Sequence, residues 1–403
     1  TSILMTNSAK IRNTIGYYLL FICLGFGMGI TGPALPSLAK QTASTIGQIG
    51  MMLLSGSIGY TVGTLIGGRL FDRMRAGHPI LGICQLVGAA LLAAVPLAGS
   101  LPILLLIVFI NGLPNGILNT GANTLLMWTH GEKSGPYING LHFSFGLGAF
   151  LAPTIYAQIL SAGGTYQQTY WILAGIAVPI ALFMLLQPHS PEHPHKQAAE
   201  TTSDRQDLAR YLPLVISAML FLFFYVGSEV TFGNWIYTYT LTLNLADATR
   251  AAYLTSSFWL AFTIGRLISI PVAARFKSEQ ILGLALIACL LITGLMIATP
   301  NSSTLLWACT IALGFFMAPV WPTGYNLAGQ SVKLTATISS IILLGDSFGG
   351  MLLPSLTGQV VEHFGAPMMT WLVFGSLVGN LLMLLAMLRL RGSTAQEPTP
   401  AAN

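Results

Sequence analysis

Apolar residues in this chain do not alternate with polar ones. They run on for roughly 20 residues or more, the length that crosses about 30 Å of hydrocarbon, and short polar clusters part the runs. Twelve runs are legible, near 13–37, 43–69, 78–99, 101–128, 137–161, 168–187, 211–241, 249–273, 278–299, 302–328, 335–360 and 367–390. They are rich in Leu, Ile, Ala and Gly and lack the two-residue period of barrel strands. Backbone polar groups in lipid must be satisfied within the segment, so the runs are expected to be helices. The predicted fold class is an all-α membrane protein with twelve transmembrane helices. The first run is too long for a cleavable leader and is expected to be the first span.

Only 7% of the 403 residues are charged, against about a quarter in soluble domains. The formal charge of +5 would suit nucleic acid if the cations formed a patch, but their placement follows the spans instead. Lys10 and Arg12 precede the first run. Arg69, Arg73 and Arg75 lie between the second and third runs, and Lys133 between the fourth and fifth. Lys196, Arg205 and Arg210 follow the sixth run, Arg275 and Lys277 the eighth, Lys333 the tenth, and Arg389 and Arg391 the twelfth. With twelve spans all these segments share one side, which keeps only Lys40 and Arg250 for the other. The excess of Lys and Arg marks the cytoplasmic side. A multi-pass protein of a bacterial inner (cell) membrane, both termini in the cytoplasm, is therefore expected.

The longest polar stretch, "QPHSPEHPHKQAAETTSDRQDLAR", follows the sixth run and reads as a linker. It divides the chain into an N-terminal six-helix bundle (1–187), a cytoplasmic linker (188–210) and a C-terminal six-helix bundle (211–403). The halves repeat. "FGLGAFLAPTIYAQ" (145–158) aligns with "DSFGGMLLPSLTGQ" (346–359) at an offset of 201, and "IGYTVGTLIGGRL" (58–70) with "IGRLISIPVAARF" (264–276) at 206. Two pseudo-symmetric halves are a transporter architecture, with a solute site at the repeat interface.

The stretch "GGRLFDRMR" resembles the loop motif G-x-x-x-D-R-x-G-R-R of the major facilitator superfamily. Gly68, Asp72 and Arg73 match, while Arg75 stands where a second glycine is usual. The resemblance implies a conformational latch that closes the cytoplasmic side in the outward-open state. Four further stretches are similar to the fucose, galactose and glucose permease group and the related sodium-dependent glucose transporter branch: "YVGSEVTFGNWIYTYTL", "FMAPVWPTGYNLA", "LHFSFGLGAFLAP" and "LNTGANTLLMW". Two carboxylates that carry proton coupling in the fucose permeases are absent here. Asn119 stands at one, and Gly32 or its neighbours at the other. His142 stands where the sugar permeases commonly have a glutamine.

Charge inside a membrane is expensive and marks function. Two acids lie near mid-span, Glu229 in the seventh run and Asp346 in the eleventh, with one base, Arg266, in the eighth. Any ion coupling is therefore expected at Glu229 and Asp346. A carboxylate in low dielectric takes up protons readily, and a carboxylate pair with carbonyl oxygens could instead hold sodium. A salt bridge between Asp346 and Arg266 is the plain structural alternative.

A sugar offers hydroxyls and apolar C–H faces, which amides and aromatic planes match. The expected solute-binding residues are Asn115, Asn119, Asn123, His142, Asn234, Trp235, Trp321, Tyr325 and Asn326. Asn111, Asn115, Asn119 and Asn123 recur every fourth residue, so they form a stripe of about 120° on one helix, with Asn111 expected to pack. Glycines crowd the first span (Gly25, Gly27, Gly29, Gly32), the fifth (Gly146, Gly148) and the eleventh (Gly345, Gly349, Gly350). They are expected to let helices approach closely where the protein rocks.

The function expected is secondary active transport of a small polar solute, a sugar, by alternating access, with uptake coupled to a sodium or proton gradient. The rival is an exporter of drugs or metabolites by proton antiport, against which the asparagine stripe argues. No nucleophile–base pair or metal motif is present, so no enzyme activity, metal or cofactor beyond the coupling ion is expected. The expected partners are the solute and the lipid bilayer, with no nucleic acid, and the chain is expected to act as a monomer.

Overall fold

The computed structural model describes residues 6–73, 77–187, 191, 204–332 and 336–394. Thirteen α-helices stand among them: α1 (Asn7–Gln41), α2 (Ile46–Arg73), α3 (Gly77–Ala94), α4 (Leu101–His130), α5 (Gly135–Ser161), α6 (Tyr166–Leu185), α7 (Asp204–Thr242), α8 (Ala248–Ala273), α9 (Ser278–Ala298), α10 (Ser303–Met317), α11 (Val320–Ser331), α12 (Ala336–Phe364) and α13 (Met368–Thr394). Twelve stretches are long and apolar enough to cross a membrane. The tenth, Ser303–Ser331, is made of α10 and α11. Its break is local chemistry. Pro319 has no N–H for the carbonyl of Phe315 and its ring crowds that turn, so α10 ends at Met317.

Residues 204–210, expected in the linker, are the first turns of α7, although the membrane span itself starts at Tyr211. The remainder of the expected linker, Pro191 apart, lies outside the described residues.

Helix pairing obeys the internal repeat. Within the first half α1 packs on α5, α2 on α4 and α3 on α6; within the second, α7 packs on α12, α8 on α10 and α9 on α13. The same atoms recur. A Cβ on Gly148 would overlap the carbonyl oxygen of Ile22, and one on Gly349 that of Phe223. Both residues of the second contact lie 201 positions after those of the first. Gly25 and Gly345 are likewise closed in by the carbonyls of Phe145 and Met219. These glycines were expected at a rocking surface; they weld helices inside each half, where bare backbone permits contact that no side chain would.

The halves meet through α5 on α8, α2 on α12 and α1 on α7, an arrangement that is itself pseudo-symmetric. Among the described residues, the hydrogen bonds between halves lie at the end opposite the start of α1 and the end of α13. Glu362 accepts from the Thr45 hydroxyl at 2.7 Å and the Gly47 amide at 2.6 Å. Gln359 Nε2 donates to the Gly47 carbonyl at 2.7 Å. The hydroxyls of Thr154 and Ser256 pair at 2.8 Å. Glu362 thus caps the N-terminus of α2 from the other half, and its charge suits the positive end of the helix dipole. Gly32 backs onto the Asn234 backbone in the same layer. The molecule is closed at this end.

Candidate functional site

Below the closed layer, side chains of both halves converge. Trp321, one residue past the start of α11, donates its indole Nε1–H to Asp346 Oδ1 on α12 at 2.9 Å. Its ring lies nearly parallel to Tyr325, with centroids 5.6 Å apart and planes 10° apart. One turn separates them on α11, so the break in the tenth span aims both rings and the helix keeps them stacked. Asp346 and Trp321 are half-buried.

Arg266 on α8 lies seven residues from the helix end, about 10 Å deep. It makes no ion pair with Asp346: its guanidinium sits over the Phe262 ring at 4.7 Å, and its Nε is buried without a hydrogen-bond partner. Its charge still acts on Glu229 and Asp346 through space. The cation is therefore held near both acids without being consumed by either.

Two relationships cross between the halves. Tyr60 on α2 is an electrostatic neighbour of Asp346 on α12, and His142 on α5 of Arg266 on α8. Tyr60 is 37% exposed although it stands on a helix seam, which places that exposure in the space between the halves. His142 is half-buried and meets Phe21 edge-on, with ring centroids 6.1 Å apart. Tyr60 and Arg266 are equivalent positions of the repeat, at the offset of 206. One fold position carries a neutral phenol in the first half and a cation in the second.

Glu229 was expected to carry chemistry, but its neighbour Tyr225 was not foreseen. Tyr225 is fully buried and donates to the Met317 carbonyl at 2.7 Å, at the break of the tenth span. Glu229, one turn along α7, is its electrostatic neighbour. The i, i+4 spacing of a Tyr and a Glu was the only signal in the sequence.

The asparagine stripe divides. Asn111 and Asn115 turn into the N-terminal half, where with Gln85, Cys23 and Gly88 they line a cavity of about 20 Å³. That is room for about one water and excludes a sugar, so Asn115 is not brought to the central site. Asn119, one turn further along α4, is half-buried. Asn123 donates to the Asn119 carbonyl at 2.9 Å, one turn nearer the linker end.

Three further expectations are corrected. Asn234 is 2% exposed and gives its amide to the Val230 carbonyl of its own helix. Trp235 is 1% exposed; its indole donates to the Pro354 carbonyl at 2.8 Å and its edge touches Gly50 and Gly358. Both belong to the closed layer, not to the cluster around Trp321 and Asp346. Asn326 is exposed and bonds Ser278 on α9 at 3.4 Å, directed away from the centre. Of the latch residues, Gly68 meets no neighbour and Arg73 is exposed at the end of α2. The Asp72 side chain and all of Arg75 lie outside the described residues. Among the described residues no group of three His, Cys, Asp or Glu is placed to hold a metal ion.

Two six-helix halves of common design, meeting around a polar centre and shut at one end, define a membrane solute carrier. The sequence pattern of the Major Facilitator Superfamily matches residues 17–352, and the chain belongs to that superfamily of transporters; it is not an enzyme. It is similar to sodium-dependent glucose transporter 1 of Xenopus laevis, 29% identical over 92% of this chain and 80% of the relative. It is 27% identical to sodium-dependent glucose transporter 1A of Mus musculus over 93% of this chain and 95% of the relative. In three dimensions it resembles a variant of the nucleoside transporter NupG, with a TM-score of 0.76 at 17% identity over 95% of this chain and 99% of that one.

Proposed function

We propose that the protein takes up a sugar by symport with a cation, with sodium as the coupling ion. The observation that carries this reading is the Trp321–Asp346 bond beside Tyr325: an aromatic plane and a fixed carboxylate acceptor are what a sugar's C–H face and hydroxyls require. The similarity over nearly the whole chain to transporters named for sodium and glucose supports both solute and ion. Asn119 and His142 supply neutral hydrogen-bonding groups from the other half. Asp346 and Glu229 supply oxygen ligands of the hard type that sodium takes.

In this reading Trp321, Tyr325, Asp346, Asn119 and His142 hold the solute, while Glu229 and Asp346 answer to the ion. Both termini and the linker lie in the cytoplasm of a bacterial cell membrane, so the closed layer faces outward and the site is poised toward the cytoplasm. Gly68, Asp72 and Arg73 would engage only in the opposite state. A single chain contains both halves of the passage, which fits a monomer.

The test is uptake into proteoliposomes from a panel of labelled sugars, with sodium and proton gradients imposed separately. Accumulation driven by sodium alone is expected. Accumulation driven only by protons would replace the ion, and failure to accumulate any sugar would overturn the solute class.

A further inference from the structure

A second site lies on the outer face of the C-terminal half. Helices α8, α9 and α10 leave an apolar groove of about 420 Å³, lined among others by Gly265, Ile268, Phe276, Leu284, Phe316 and Pro319. It belongs to no part of the central site. Ile268, Phe276 and Leu284 are 45%, 57% and 68% exposed, so the groove opens sideways, toward lipid. From Gly265 it follows α8 for eight residues to the helix end at Ala273, about 12 Å, and continues over the next turn to Phe276. Together that is about the depth of one leaflet, half of the hydrocarbon core.

The mouth is charged and unbalanced. Arg275 and Lys277 flank Phe276, both exposed, and among the described residues neither makes an ion pair. The nearest acid in the sequence, Glu279, is already taken by Arg391 at 2.6 Å. Gln280 also lines the groove and adds amide donors at the same level. An apolar trough one leaflet deep, ending at two free cations and an amide, fits one occupant on charge and length.

We infer that the groove binds one anionic phospholipid, with an acyl chain along α8 and the phosphate held by Arg275 and Lys277. Basic pockets between membrane helices hold such headgroups. The chain would rest against Phe316 and Pro319, which flank the break in the tenth span. Because the seat is separate from the solute site, this inference stands or falls independently of the sugar reading.

The test is native mass spectrometry of the delipidated full chain, titrated with phosphatidylglycerol, phosphatidylcholine or oleate. One phosphatidylglycerol adduct is expected, with a preference over phosphatidylcholine of roughly thirtyfold, since two cations near the surface contribute. R275Q/K277Q should bring that preference close to one. I268W, which fills the trough at an already exposed position, should abolish the adduct. Equal binding of the two phospholipids, a preference untouched by R275Q/K277Q, or an adduct that survives I268W would overturn the proposal. Oleate binding as tightly as phosphatidylglycerol would put a free fatty acid there instead.

Discussion

The indole of Trp321 and the carboxylate of Asp346 are joined by a 2.9 Å hydrogen bond between α11 and α12. One residue is aimed by a proline break and the other by a glycine-welded helix. The bond couples the orientation of the indole to the position of the carboxylate.

Asp346→Asn tests what the charge contributes beyond the bond. The amide oxygen still accepts from the indole, so solute binding by counterflow exchange should stay within about threefold of the parent. Accumulation against a gradient should be lost. Trp321→Phe removes the donor and leaves the carboxylate one bond short, a loss of roughly 1.5–3 kcal/mol in stability, and it frees the carboxylate from its fixed position, so solute affinity should fall as well. Equilibrium solute binding measures the second effect.

Tyr225→Phe removes the hydroxyl that donates to the Met317 carbonyl at the break of the tenth span. It leaves a buried carbonyl unpaired, at a cost of about 1–3 kcal/mol, seen as a lower melting temperature. Tyr225 is a positioning residue, so solute affinity should change little while the exchange rate falls. Equal losses in affinity and rate would assign it to the binding surface instead.

Glu362→Gln loosens the closed layer. The substitution removes a charge at the N-terminus of α2, worth about 0.3–1 kcal/mol, and weakens two hydrogen bonds from Thr45 and Gly47. Spin labels placed on that end of α2 and α12 should show the longer-distance population rise by several-fold. An unchanged distance distribution would show that the lock lies elsewhere.

Gly148→Ala and Gly349→Ala should both destabilise by about 1–3 kcal/mol, because the new methyl meets a carbonyl oxygen in a close-packed seam. Gly375→Ala is the control, since a Cβ there meets nothing within 4 Å. Thermal melting of the three purified variants in one detergent separates the cases. If the two seam variants melted like the control, the seams would not be the welds described above.

Much of the fold was legible because its causes are local. A run of apolar residues must cross lipid as a helix whatever surrounds it, and Lys and Arg stay on one side because moving them across is costly. Twelve spans follow from those two facts, and the superfamily match agrees; the repeat was legible in the segments that align at offsets of 201 and 206. The site was legible only in part. Asp346, Trp321 and Tyr325 combine an uncommon residue type with a helix break, both visible in the chain.

Asn115 and Asn123 have the same side chain on one stripe, yet one lines a cavity inside its own bundle and the other gives its amide to the Asn119 carbonyl of its own helix. Trp235 and Trp321 are both tryptophans in apolar helices, but one is sealed in the closed layer and the other bonds a carboxylate. Sequence by itself determined which residues are polar, how deep they lie, and that the two halves share one design. Tertiary structure decided which way each polar group turns. That direction depends on the rotation of a helix against its neighbours, set by glycine contacts with backbone tens or hundreds of residues away, which no local pattern records.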